Sequence, residues 1–149
     1  MQAVVEHATL ALQQDLLRAL RPLGGRPVDG RALLERVSGT LLQGGHARLI
    51  AWLLLSGYQP FDSDAVRAGW RAIVEVTHAR RLEGVKSGKK PSYEDTLFTV
   101  SLSSLALFGQ AIAGKATFEA AGLGQDRSAP RRFRTWLAKL LEGHLEQAP

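Results

Sequence analysis

From Leu97 to Gly114 the chain carries no charged residue, and that run limits the possible folds more than any other feature. As a helix it rises about 27 Å, close to the thickness of a bilayer core. Thr99, Ser101, Ser103, Ser104 and Gln110 interrupt it, however, and no second segment matches it. The expectation is therefore a central buried helix over about 94–114, wrapped by others and making no contact with a membrane. Its small side chains would let neighbours approach closely.

A second greasy stretch makes the same demand. Leu33–Leu42 and Leu49–Leu55 flank the Gly44-Gly45 pair, and no charge follows Arg48 until Asp62. This segment too has to be covered by other helices.

The remaining pattern is helical throughout. Ala3–Leu20 places Val4, Ala8, Leu12, Leu16 and Leu20 or Ala19 on one face, and Pro22-Leu-Gly-Gly-Arg-Pro27 ends it. Asp29 is an N-cap candidate for a helix with Leu33, Leu34, Val37, Leu41 and Leu42 on one side. Gly44-Gly45 closes that helix, His46–Leu55 forms a short and mostly buried one, and Ser56-Gly57 stops it. Asp62 or Ser63 caps a helix carrying Val66, Trp70, Ile73, Val74 and Thr77, which ends in Arg80-Arg81 where cations suit the helix dipole. Ser92-Tyr-Glu-Asp95 is close to a capping box for the uncharged helix. Lys115–Ala121 continues as a short helix until Gly122-Leu-Gly124. Ser128 caps the last helix, tolerating Pro130 in its first turn, with Phe133, Trp136, Leu137, Leu140, Leu141 and Leu145 facing inward. No run alternates long enough for a strand. The fold class is all-α, a compact bundle of five to six helices in a single domain spanning 1–149.

Catalytic chemistry finds little to hold. The chain has no cysteine, so it offers neither disulfides nor thiolate metal ligands. His7, His46, His78 and His144 lie on separate segments without an H-E-x-x-H pair. Gly84-Val-Lys-Ser-Gly88-Lys-Lys is one residue short of a phosphate loop, has Lys90 where a magnesium-binding hydroxyl belongs, and follows a helix instead of a strand. No enzyme, cofactor or metal is expected. The N-terminus lacks the basic region and cleavage site of a secretory leader, so the expected location is cytoplasmic.

Charge is what remains. The formal balance is +5, and arginine far outnumbers lysine; its planar fork suits phosphate. One basic cluster is Arg80, Arg81, Lys86, Lys89 and Lys90, before and in a glycine-rich loop. The other is Arg127, Arg131, Arg132 and Arg134, with no acid between Asp126 and Glu142. Cations at a helix N-terminus oppose the dipole unless an anion offsets them. Both clusters are candidate contacts to the backbone of RNA or single-stranded DNA; the competing reading is a solvated face whose arginine stems cover apolar surface. Tyr93, Phe133 and Trp136 could stack bases, although helical spacing puts Trp136 in the core first.

The stretch Leu41-Leu-Gln-Gly-Gly-His-Ala-Arg-Leu-Ile-Ala-Trp-Leu-Leu resembles the small-subunit family of CRISPR effector complexes, above all the type III-B (Cmr) small subunit. Trp136-Leu-Ala-Lys-Leu-Leu-Glu-Gly is similar to a later helix of that family. Ser128-Ala-Pro-Arg-Arg-Phe-Arg-Thr-Trp-Leu resembles an Arg-Phe helix of type I or IV small subunits. The Gly-Gly pair and the uncharged helix depart from the pattern. The resemblance implies a non-catalytic helical subunit of a ribonucleoprotein, contacting the guide–target backbone beside other subunits, copies of itself among them. Two alternatives stand beside it. Thr117-Phe-Glu-Ala-Ala-Gly-Leu-Gly followed by Arg131-Arg-Phe-Arg-Thr-Trp suggests a helix-turn-helix DNA-binding protein, with a connection longer than usual. The third is a phage- or host-encoded helical interaction module without nucleic-acid binding.

Overall fold

The computed structural model describes residues 2–20, 30–42, 45–59, 62–84 and 90–147. Among them six helices and no strand are found: α1 Gln2–Leu20, α2 Gly30–Leu42, α3 His46–Leu55, α4 Asp64–Gly84, α5 Tyr93–Ala120 and α6 Ala129–Gln147. The all-α expectation holds. The Pro22–Pro27 break, the Asp29 cap and Gly44 lie outside the described residues, as do Lys86 and Lys89; so do the side chains of Ala8, Leu12, Ala19, Leu33 and Leu145.

Helix ends follow from local chemistry. Ser92 is extended and its hydroxyl accepts the Asp95 amide at 3.0 Å, so the expected cap of α5 forms. Of the two candidates before α4, the cap is Ser63, which accepts the Val66 amide at 3.2 Å; Asp62 and Asp64 instead hold Arg67 at 2.7 and 2.8 Å. At α6 the expectation is half right. The Ser128 carbonyl accepts the Arg132 amide, but the Ser128 hydroxyl donates to Asp126 at 2.6 Å and does not cap the helix. The carboxylate of Asp126, also bonded by the Ser128 amide, supplies the negative charge there.

Two helices stop in the same way. Gly57 (φ 80°) and Gly122 (φ 77°) are left-handed, which lets the amides of Tyr58 and Leu123 turn back to the carbonyls of Leu53 and Phe118, at 2.9 and 2.7 Å. This six-to-one bond closes orphan carbonyls at a helix end, and only glycine takes the turn without strain. The helix expected over about 94–114 and its short continuation Lys115–Ala121 are one element. α5 runs unbroken through Gly114 to Ala120, because its first stop signal is Gly122. Likewise α4 continues past Arg81 to Gly84.

The core has two parts. α1 packs chiefly on α4, while α2 lies against α5 and α6. Leu34, Leu41, Ala47, Leu107, Leu137 and Ala138 form one buried cluster, with Val37, Phe108 and Phe133 packed around it. Burying each large aliphatic side chain contributes about 1.5–3 kcal/mol. Between α1 and α4, Val66, Ile73 and Val74 are buried with Thr9 and Gln13. Gln13 donates to the Val66 carbonyl at 2.8 Å. Its amide oxygen lies 2.1 Å from where a Cβ on Gly69 would stand, so a larger residue there would force the Gln13 side chain to move.

α5 touches α2, α3, α4 and α6, and is central in that sense. It is not enclosed. Phe98, Leu102, Leu105 and Ile112 are exposed along one side, Leu105 by 69%. By length and composition α5 is also long and apolar enough to cross a membrane. α3 is corrected in the same way: Ala47, Ile50 and Leu53 are buried, whereas Trp52, Leu54 and Leu55 are exposed. Val4, Leu42, Trp136 and Leu140, expected inward from helical spacing, also face solvent. A helix buries only the side its neighbours cover, and one that is apolar all round carries no signal of which side that is.

Candidate nucleic-acid interface

Helical spacing puts Arg131, Arg132, Thr135, Trp136 and Lys139 on one face of α6, since residues three and four apart lie over one another. The first turn of α2 brings Arg31 to the same place. Together these six residues line a cleft of about 300 Å³. Its lining supplies four cations, one hydroxyl and one indole. Such a lining can hold phosphate and stack a ring; it contains no carboxylate or imidazole for acid–base work.

Two of these side chains are positioned by their neighbours. Trp136 stacks on Phe133 at 6.2 Å with 30° between the rings, and is still 58% exposed. One face of the indole is thus backed by the core-packed phenyl. Arg132 is tethered to Asp126, and the hydroxyl and amide of Ser128, with help from Arg132, hold the Asp126 carboxyl below the usual carboxylate range. Asp126 therefore answers much of the conflict between the arginines and the helix dipole. Arg131 and Lys139 pair with no carboxylate among the described residues.

Arg134, grouped with them in sequence, does something else. Its side chain is 12% exposed and meets Glu35 at 2.8 Å, with a long contact of 3.4 Å to the Gln110 side chain. Gln110 in turn donates to the Pro130 carbonyl at 2.9 Å. Arg134 thus fixes α6 to α2 and α5, and so sets the walls of the cleft without lining it.

The first sequence cluster is also divided. Arg81 is 11% exposed, donating to Asp95 at 2.6 Å and to the Thr96 hydroxyl at 2.7 Å. Thr96 is completely buried and also meets His78 at 2.9 Å. Asp95 takes a second contact from His144 at 2.8 Å; His144 and Arg81 hold its carboxyl below the usual range. This network joins α4, α5 and α6 and is structural. The terminal guanidinium nitrogens of Arg80 are buried with no hydrogen-bond partner among the described residues. Of the candidates in this cluster, Lys90 is exposed; Lys86 and Lys89 lie outside the described residues. Arg127 is exposed just ahead of α6.

Of the nine candidates, then, Arg131 and Arg132 reach the cleft, while Arg81 and Arg134 are built into the interior. Sequence reasoning missed Lys139 and Arg31. Lys139 carried a readable signal, being two turns on from Arg131 and Arg132 on the same face. Arg31 carried none, because only the packing of α2 on α6 brings it there. Among the described residues no group of His, Asp and Glu lies close enough to hold a metal ion. The chain matches no protein-family model, no curated protein and no solved structure.

Proposed function

We propose that this chain is a non-catalytic helical subunit that binds the backbone of RNA or single-stranded DNA along the α2–α6 cleft. The observation that carries the reading is the convergence of Arg31, Arg131, Arg132 and Lys139 around the exposed indole of Trp136. Cations that neutralise phosphates release counterions, and an exposed aromatic adds stacking that tolerates any base. Binding is then strong at low salt and indifferent to sequence. The resemblance to CRISPR small subunits adds a context in which such a protein works, beside other subunits on a guide–target duplex.

The test is fluorescence anisotropy with labelled single-stranded RNA and DNA of mixed sequence, titrated across salt. Expected are binding at low salt, a steep loss as salt rises, and failure of Arg131→Glu/Arg132→Glu to bind. Unchanged binding by that variant removes the cleft. Preference for one duplex DNA sequence favours the helix-turn-helix alternative, although Arg134 of its would-be reading helix is held inward by Glu35 and residues 121–128 exceed the usual three- to four-residue turn. No binding even at low salt leaves the interaction module. Purification of the tagged protein from its host, with sequencing of the retained RNA, tests the ribonucleoprotein context.

A further inference from the structure

Within the uncharged run of α5, the large exposed side chains follow a strict order. Phe98, Leu102, Leu105, Gly109 and Ile112 are exposed, and Ala116 continues the line one turn later. The spacing is four, three, four, three, four. That is the seam of a coiled coil, in which a 3.5-residue repeat keeps one edge facing a partner helix. The hydroxyls beside it do not demand water: Thr99, Ser103 and Ser104 donate to the carbonyls four residues back, at 2.8, 2.7 and 2.9 Å. An apolar, helix-shaped surface is left with nothing on it.

We propose that a second copy of this chain covers the seam, with the two α5 helices antiparallel about a two-fold axis near residue 107. The argument for a second copy is the size gradient along the seam. Its N-terminal half is large (Phe98, Leu102, Leu105) and its C-terminal half is smaller (Gly109, Ile112, Ala116). Antiparallel pairing about residue 107 opposes Phe98 to Ala116, Leu102 to Ile112 and Leu105 to Gly109. Large faces small in two of these three layers, each repeated by symmetry. A two-fold interface must be self-complementary in this way. A Cβ on Gly109 would meet nothing in its own chain within 4 Å, so its smallness serves no internal contact.

Area points the same way. The four large seam residues alone present roughly 400 Å², already the size of patch that marks an interaction site. Two such seams bring together roughly 800 Å² before any flanking residue is counted, toward the ~1,200 Å² at which specific interfaces begin. A bilayer is the other apolar occupant to consider. It would require α5 to leave its packing, yet Gln110 in mid-helix is bonded to the Pro130 carbonyl and contacts Arg134, which is paired with Glu35. Stripping that cluster from α5 opposes insertion. This proposal is independent of nucleic-acid binding in the cleft.

The experiment is sedimentation equilibrium of the full chain from 1 to 100 μM, alongside Leu105→Glu. Expected is a dimer that weakens at least 100-fold in the variant, with far-UV circular dichroism unchanged. Should Leu105→Glu fail to fold, the double variant Leu102→Cys/Ile112→Cys decides. The chain has no cysteine of its own, and the two positions are about 15 Å apart on one helix, too far to join internally. Oxidation should give a covalent dimer from the double variant and none from either single variant. A monomer at 100 μM overturns the proposal. So does a dimer that the cysteine pair cannot cross-link, or quantitative partition of the wild-type chain into phosphatidylcholine vesicles.

Discussion

Arg81 and Arg134 are 11% and 12% exposed and tie helices together; Arg132, two residues before Arg134, is 61% exposed beside a cationic cleft. Identical residue types, adjacent in sequence, thus do opposite work. What separates them is the neighbour each helix face meets. Glu35 on α2 and Asp95 on α5 wait opposite the inward pair, while the outward pair looks over a groove with no acid in its lining. Cation density along a chain therefore does not by itself mark a surface, because the interior takes some of those cations for its own ion pairs.

The sharpest way to break the comparison is to remove one arginine of each kind. Arg134→Ala leaves Glu35 half-buried without its cation, and losing one partner of such a pair costs about 3 kcal/mol. For a chain of this size the melting temperature should fall by about 10 °C. Arg132→Ala, an exposed surface pair, should stay within about 0.5 kcal/mol of wild type. Thermal melts followed by circular dichroism at 222 nm check both. Equal losses in the two variants would erase the distinction.

Binding should rank them in reverse. Arg131→Ala/Arg132→Ala removes the two proposed phosphate contacts, so the plot of log affinity against log salt should flatten by about 1.4 for a single strand. At low salt the affinity should fall roughly 10- to 100-fold, with the melting temperature unchanged. Arg81→Ala, assayed where it remains folded, should keep the wild-type salt slope. An altered slope there would return Arg81 to the surface.

These contrasts mark how far the sequence could be read. The six helices and most of their ends were legible, because capping by Ser63 and Ser92 and termination at Gly57 and Gly122 are local matters of three or four residues. The two buried layers were legible where apolar spacing was sharp, as at Val66, Ile73 and Val74. It failed where a helix is apolar on every side: nothing in Leu97–Gly114 says that Phe98 and Leu105 face out while Leu107 faces in. Nor does spacing along α6 foretell that Trp136 would be displaced from the core by Phe133 and Leu137. At the site, Arg131 and Arg132 were found from clustering. The fate of Arg134 was not, because its partner Glu35 lies on α2, far away in sequence.

The Arg81 network adds an effect of pH. Because His144 and Arg81 hold the Asp95 carboxyl below its ordinary range, the folded chain releases that proton more readily than the unfolded chain. The stabilisation is complete above the unfolded-state value and is lost as pH falls through the folded-state value. Urea midpoints measured from pH 7 to pH 3 should therefore drop more steeply for wild type than for Asp95→Asn. At pH 7 the Asn variant should already be the weaker of the two. Parallel curves would mean that the contacts of Asp95 are too loose to matter.

The finest distinction lies beside the cleft, at Asp126, which tethers Arg132. Its carboxylate tethers Arg132 and takes the hydroxyl and amide of Ser128, so it acts both as a positioning group and as a negative charge beside the proposed phosphate path. Asp126→Asn separates the two roles, because asparagine ends a turn as well as aspartate does but brings no charge. If the charge dominates, removing it should raise affinity for single-stranded RNA roughly threefold at low salt, an advantage that fades as salt screens the site. The melting temperature should scarcely move. If instead Asp126 is needed to hold Arg132 in a binding geometry, affinity falls and does not recover at any salt concentration. The sign of that change decides whether Arg132 acts toward the proposed phosphate path or stands with the tethered arginines of the interior.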